Sequence, residues 1–307
     1  MRAAWAALAI ALAACGGCDG KTVVLGDSSP RPYHFEPPQL VTELAGPFRT
    51  DNPTLTADLR EIFFTTDRVS GNGDVWFATR DDPSGPFGAP QPVGAVNTSG
   101  FETSAAIAAD GLTLWFGSDR AGGAGAIDIW AAQRPSRAGT WSTPVNVVAL
   151  CSPADDIPRP PGQHGLVMPL ASARLTPDDR NGEYQTYFAA RSSAGAPFGA
   201  PSPIPELAYA SRSTVDAFLS DDGLTLFFSS APAAVDAGTD GGLASSDLYV
   251  AWRRSTGEPF SVTQPLDDLN TPDSERDPWL SPDGRTLYFT SDRSGILQIY
   301  TARVQAR

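Results

Sequence analysis

Along the chain, short apolar runs alternate with clusters of Gly, Pro, Asp and Ser, a punctuation that suits strands and turns and leaves no stretch for a long amphipathic helix. The runs recur in a fixed order at roughly 50–60-residue spacing, the mark of a duplicated structural unit. The clearest copy is Ser281-Pro282-Asp283-Gly284-Arg285-Thr286-Leu287-Tyr288-Phe289. Two more follow the same plan, Ile107 to Phe116 around Asp110-Gly111 and Phe218 to Phe228 around Asp222-Gly223. Asp-Gly between two apolar runs predicts a hairpin, because a tight turn needs the positive φ that Asp and Gly tolerate. Leu55 to Phe64 is a worn copy without the glycine. Pro158 to Met168 is a more degraded one, with Gly162-Gln163 expected at its turn.

Each hairpin is followed by a short strand with a central aromatic, at Trp76, Trp130, Tyr187, Tyr249 and Tyr300. One large aromatic per repeat predicts packing between neighbouring units, where each buries a large apolar area. A fourth segment runs from an aromatic to an aliphatic, at Phe87 to Val93, Trp141 to Val147, Phe198 to Ile204 and Phe260 to Leu266. Pro92, Pro203 and Pro265 lie inside these segments. Proline cannot donate to a sheet ladder, so this strand belongs at the outer edge. The last repeat lacks its fourth segment, and Phe35 to Val41 has the same spacing near the other end of the chain. The expected fold is therefore all-β: a five-bladed β-propeller of four-stranded blades over residues 34–307, its ring closed by an N-terminal strand that completes the last blade. Deleting Phe35 to Val41 should then lower the melting temperature of the whole domain in a single cooperative transition.

Composition agrees and narrows the function. The 307 residues are 41% hydrophobic and only 19% charged, with 29 Gly and 28 Pro, which fits a large core made of short strands. A net charge of −13 argues against nucleic acid as a partner and disfavours electrostatic docking on an anionic membrane. Residues 1–14 read as a signal peptide, with Arg2 before an apolar run too short to span a bilayer. The run ends Leu12-Ala13-Ala14-Cys15, which resembles a bacterial lipobox and implies lipidation of Cys15; the alternative is an ordinary signal peptide cut nearby. Residues 15–33 read as a flexible tether. The expected product is exported to the periplasm or outer membrane as a lipoprotein, touching membrane through its anchor alone. Cys18 and Cys151 would then be left in an oxidising compartment, where pairing stays open.

The segment Leu280-Ser281-Pro282-Asp283-Gly284-Arg285-Thr286-Leu287-Tyr288-Phe289-Thr290-Ser291-Asp292-Arg293 resembles the repeat of TolB-like, WD-type bacterial β-propellers, and the similarity extends in weakening form from Phe35 to Val304. The family's namesake carries a further N-terminal α/β domain that engages envelope partners. No room exists for it between the tether and Phe35, so the resemblance implies a propeller and an extracytoplasmic setting, not the namesake's role.

Candidate chemistry is sparse. Aligning the repeats puts Asn52, Ser104, Asp156, Asp216 and Asp277 at one position, six residues before the hairpin turn. First strands line the channel of a propeller, so these side chains could converge at one mouth and bind a polar ligand or a cation such as Ca²⁺. Alternatively, each makes a local hydrogen bond that was duplicated with the repeat. Thr66-Asp67-Arg68, Ser118-Asp119-Arg120 and Ser291-Asp292-Arg293 read as turn-ordering triplets. The acid–glycine stretch Val235 to Gly242 lacks the ligand spacing of an EF-hand and reads as an insertion. His34 and His164 are the only histidines, without metal-ligand spacing, and no Gly-x-Ser-x-Gly elbow is present. No catalytic residue, metal site or cofactor is assigned. The expected role is that of a monomeric, non-enzymatic binding or scaffolding propeller. It would recognise an envelope protein or polysaccharide through its loops and channel mouth. The alternative is a glycoside hydrolase-like, carbohydrate-active enzyme using Asp156, Asp216 and Asp277. Equivalent acids in several repeats, however, look like symmetry, whereas catalysis needs differently tuned groups.

Overall fold

The computed structural model describes residues 33–69, 71–174, 184–207, 212–232 and 245–305. The chain enters through β1 (Gln39–Leu40) and then forms blade one from β2 (Thr50–Leu55), β3 (Glu61–Thr66), β4 (Asp74–Thr79) and β5 (Gln91–Pro92). Blade two is β6 (Glu102–Ile107), β7 (Thr113–Ser118), β8 (Asp128–Gln133) and β9 (Val145–Asn146). Blade three is β10 (Asp156–Pro158), β11 (Val167–Ser172), β12 (Gln185–Ala190) and β13 (Ser202–Pro203). Blade four is β14 (Arg212–Leu219), β15 (Thr225–Pro232), β16 (Asp247–Trp252) and β17 (Val262–Pro265); blade five is β18 (Glu275–Leu280), β19 (Thr286–Ser291) and β20 (Gln298–Arg303). All pairings are antiparallel, and the fourth strand of blade five is β1, with Gln39 opposite Thr301 and Leu40 opposite Tyr300. An isolated bridge from Phe35 to Val304 extends this join. The protein is thus a five-bladed β-propeller, and the described residues contain no α-helix.

The core is divided into five clusters, each between adjacent blades. Trp76, Trp130, Tyr187 and Tyr300 are buried, as expected for the aromatic of the third strand, while Tyr249 is half-buried. Blade five packs on blade one through Trp279, Tyr288 and Ile299 against Leu55, Ile62 and Phe64. Each such side chain contributes about 1.5–3 kcal/mol by leaving water. The aromatic that opens each fourth segment lies under an arginine from the end of the third strand. Arg80 sits over Phe87, Arg134 over Trp141, Arg191 over Phe198 and Arg253 over Phe260, all at 4.2–4.7 Å from the ring centre. The same guanidinium donates to a carbonyl of the hairpin turn, Leu59, Gly111, Gly165 and Gly223 respectively.

That recurring contact also places the turn of the degraded repeat. Gly162 bridges to Val167, and positive φ falls on Gln163, His164 and Gly165, so the turn runs from Gln163 to Leu166 and Gly162 stands just before it. Gly162 is a glycine for a different reason: a Cβ there would lie 2.3 Å from the Leu219 carbonyl oxygen of blade four.

Candidate functional site

First strands of neighbouring blades touch around the axis, β2 with β6, β6 with β10, β14 with β18 and β18 with β2. In blades one, two, four and five the register of this strand shifts by one residue, between Asp51 and Thr54, Thr103 and Ala106, Val215 and Phe218, and Arg276 and Trp279. Each shift holds one residue in the left-handed region: Asn52 (φ 56°), Ser104 (52°), Asp216 (57°) and Asp277 (57°). Such backbone costs about 1–3 kcal/mol per residue, and Asn and Asp tolerate it best because their short side chains bond locally. The bulge therefore explains the residue types at this position.

Three of the four are directly linked. Ser104 Oγ donates to Asn52 Oδ1 at 2.9 Å, and the Asn52 backbone N–H donates to Asp277 Oδ2 at 3.2 Å. Asn52 Nδ2 in turn donates to Asp51 Oδ1 at 3.0 Å. Asp216 accepts from Ser229 Oγ at 2.9 Å and lies close enough to Asp277 to feel its charge. Burial, with Asp277 adding to it, pushes the Asp216 carboxyl up to about 7 against the pull of Arg159 and Ser229. Burial likewise raises Asp51 to about 6, opposed by Arg49, while Asp277 adds to the rise.

Blade three does not take part in this pattern. Its first strand has no bulge: Asp156 pairs with Ser172 in the register of Glu102 with Ser118 and Glu275 with Ser291. Asp156 is therefore not equivalent to the other four, and it does not join them. It is fully buried in a clip made three times. Thr98, Ser152 and Thr271 donate to Glu102, Asp156 and Glu275, and Arg120, Arg174 and Arg293 pair with the same carboxylates. Those arginines also reach the carbonyls of Val96, Leu150 and Leu269. The aspartates of the Ser/Thr-Asp-Arg triplets accept the backbone N–H of Arg49, Phe101 and Ser274 and so fasten the incoming first strand.

What blade three supplies to the axis is Arg159, a residue that repeat alignment did not single out. It is 1% exposed. Nη1 lies 3.2 Å from Asn52 Oδ1 and 3.4 Å from Asp277 Oδ1, and Nη2 lies 3.4 Å from the Pro278 carbonyl oxygen. A buried guanidinium in this ring supplies the positive charge that a bound cation would otherwise bring. Among the described residues, no three His, Cys, Asp or Glu side chains are grouped to hold a metal. The Val235 to Gly242 stretch, the lipobox with Cys15 and the tether up to Pro32 lie outside the described residues. So does Cys18; Cys151 is half-buried, with its thiol pushed up to about 12 by burial.

Further along the same strands, the channel opens on the face that carries the hairpin turns. There a cavity of about 470 Å³ receives residues from all five blades, including Leu55, Ile107, Pro160, Phe218 and Leu280, with Trp279 in its wall. Asp221, Asp222 and Asp283 stand on its rim, and Tyr33 closes one side, packed on Trp252 and Phe227. That volume is in the range of small-ligand pockets.

No family model matches the chain, and no curated protein matches it. Among solved structures it is similar to an endo-arabinase from Bacteroides thetaiotaomicron, at TM-score 0.56 and 15% identity over 90% of this chain and 99% of that one. An α-L-arabinofuranosidase from Podospora anserina matches at TM-score 0.51 and 11% identity, over 89% of this chain and 96% of that one. A structure assigned to TolB of Agrobacterium tumefaciens matches at TM-score 0.48 and 14% identity, over 83% and 76%. The first two likenesses show the fold. At such identities they carry no activity across.

Proposed function

We propose that this protein is a non-enzymatic binding propeller of the bacterial cell envelope, exported, lipid-anchored through Cys15, and engaging a partner at the apolar mouth of its channel. The observation that supports this reading is Arg159. Its guanidinium occupies the polar level of the axis and commits Asn52 and Asp277 to internal contacts, while the opposite mouth stays concave and open. A glycoside hydrolase needs two carboxyl groups facing one space across the scissile bond. Here Asp277 is 3% exposed and ion-paired, and Asp156 belongs to the blade clip.

The second reading, a carbohydrate-active enzyme, draws on one feature: Asp216, half-buried and held near neutrality, stands beside an acid of different environment. One experiment separates the two. Photo-crosslinkers placed at Pro282, on the apolar mouth, and at Asp67, on the opposite face, are activated in the native envelope, and arabinan hydrolysis is assayed in parallel. The binding reading expects a discrete adduct from Pro282 alone and no hydrolysis. Hydrolysis abolished by Asp216→Asn, with an unchanged melt, would establish the enzyme instead.

A further inference from the structure

The apolar mouth carries information about the chemistry of its occupant. Its walls are aliphatic and aromatic, and every blade contributes. Ser220, Thr225, Ser281 and Tyr33 bring hydroxyls to the lining, and its charged groups are all acidic; no Arg or Lys lines the cavity among the described residues. Two of these acids are only half used. Asp222 Oδ1 accepts Ser220 Oγ at 2.6 Å and the Leu224 N–H at 2.9 Å, and Asp283 Oδ1 accepts Ser281 Oγ at 2.5 Å and the Arg285 N–H at 3.0 Å. No hydrogen bond or ion pair engages the second oxygen of either carboxylate among the described residues. Asp221, also on the rim, is exposed and pairs with exposed His164 at 2.7 Å. A chain of net charge −13 adds a long-range field of the same sign.

From this pocket we infer that the apolar mouth receives a basic peptide segment of an envelope protein, an aliphatic or aromatic side chain entering the cavity while an adjacent Lys or Arg meets Asp222 or Asp283. The inference rests on the binding role proposed above and names the chemistry of its partner. The aliphatic and aromatic part of the lining gives affinity to a buried side chain, and the carboxylates select a cation and speed its approach. A sugar is the poorer match. It needs several donors and acceptors beside its ring, whereas the Ser220 and Ser281 hydroxyls are already given to Asp222 and Asp283 and the charged groups offer acceptors only.

The test uses the full chain, immobilised, and a phage-displayed library of random dodecapeptides as the probe, with arabinose and galactose oligosaccharides run beside it. Enriched peptides should carry Lys or Arg next to Leu, Ile, Phe or Trp, and raising the salt from low to molar concentration should weaken them at least tenfold. Ala57→Lys and Pro282→Lys change exposed turn positions on the cavity that hold no hydrogen bond through their side chains. Together they should leave the melt unchanged and cost a further tenfold or more in affinity. The inference is overturned by acidic or uncharged winners, by winners indifferent to the two lysines, or by no enrichment over an unrelated protein. Oligosaccharide binding without peptide binding would overturn it too, yet leave the binding role standing. Oligosaccharide turnover would remove the binding role itself.

Discussion

At one level of the channel, Asn52, Ser104, Asp216 and Asp277 stand on left-handed backbone around a buried guanidinium. A few residues further along the same strands, Leu55, Ile107, Phe218 and Leu280 surround an open apolar cavity with acids on its rim. Both levels come from one repeat, but they answer different physical demands. The bulge requires side chains that accept positive φ, and the residues best suited to it are polar or acidic. Burying several of them around one axis creates a concentration of negative charge. The counter-charge at Asn52 and Asp277 comes from Arg159 of blade three, the one blade whose first strand is not bulged, with Arg49 and Arg276 acting beside it. At the other mouth nothing has to be compensated, because the acids there stay in solvent. The polar level is thus committed to internal contacts, whereas the other mouth stays open.

Removing Arg159 is the most direct way to break this contrast. Arg159→Leu should lower stability by about 3–5 kcal/mol, since it leaves Asp277 buried without its cation. Chemical denaturation with both variants checks it: adding Asp277→Asn to Arg159→Leu should recover much of the loss. A loss below 1 kcal/mol would mean that the guanidinium is not what holds the polar level together.

The pH response comes next in size. Asp216 and Asp51 have folded-state pKa values of about 7 and about 6 against an ordinary 3.8. Between those limits the folded state holds more protons than the unfolded one, so their contribution to stability is greatest in acid and is lost as pH rises through 4 to 7. Asp216→Asn should flatten that slope. Melting temperatures across the window, in the wild type and the variant, decide it; parallel curves would rule out a raised Asp216.

How much of this could be read from the sequence follows the same physical division. Turn chemistry and strand alternation are local, so the five blades, the edge prolines and the N-terminal segment that pairs with β20 were all legible from spacing. The polar position was legible as a repeated residue type, but its cause was not, because a bulge is a property of pairing between strands. Asp156 was aligned with the wrong column for that reason. A better signal was present: a Ser or Thr four residues before the acid and an Arg eighteen after it join Asp156 to Glu102 and Glu275. Arg159 had no such signature. Its role depends on what the other four blades place around it, which no single repeat encodes.

The smallest expected effect sharpens the comparison from the other mouth. Ser281 Oγ donates to Asp283 Oδ1 and accepts from the Thr286 N–H at 2.9 Å, so Ser281→Ala should cost about 1 kcal/mol at neutral pH. The same hydroxyl, with the Arg285 N–H, holds the Asp283 carboxyl below the ordinary carboxylate range. A depressed folded-state pKa contributes stability that is present above the unfolded value and lost as pH falls through the folded one. The gap between Ser281→Ala and the wild type should therefore narrow in acid, under the conditions that favour the Asp216 level. Thermal melts of Ser281→Ala, Asp216→Asn and the wild type at pH 3 and pH 7 test both levels together. The two variants should shift with acid in opposite senses; if both gaps moved the same way, the turn carboxylate would not be held as an anion by its hydroxyl.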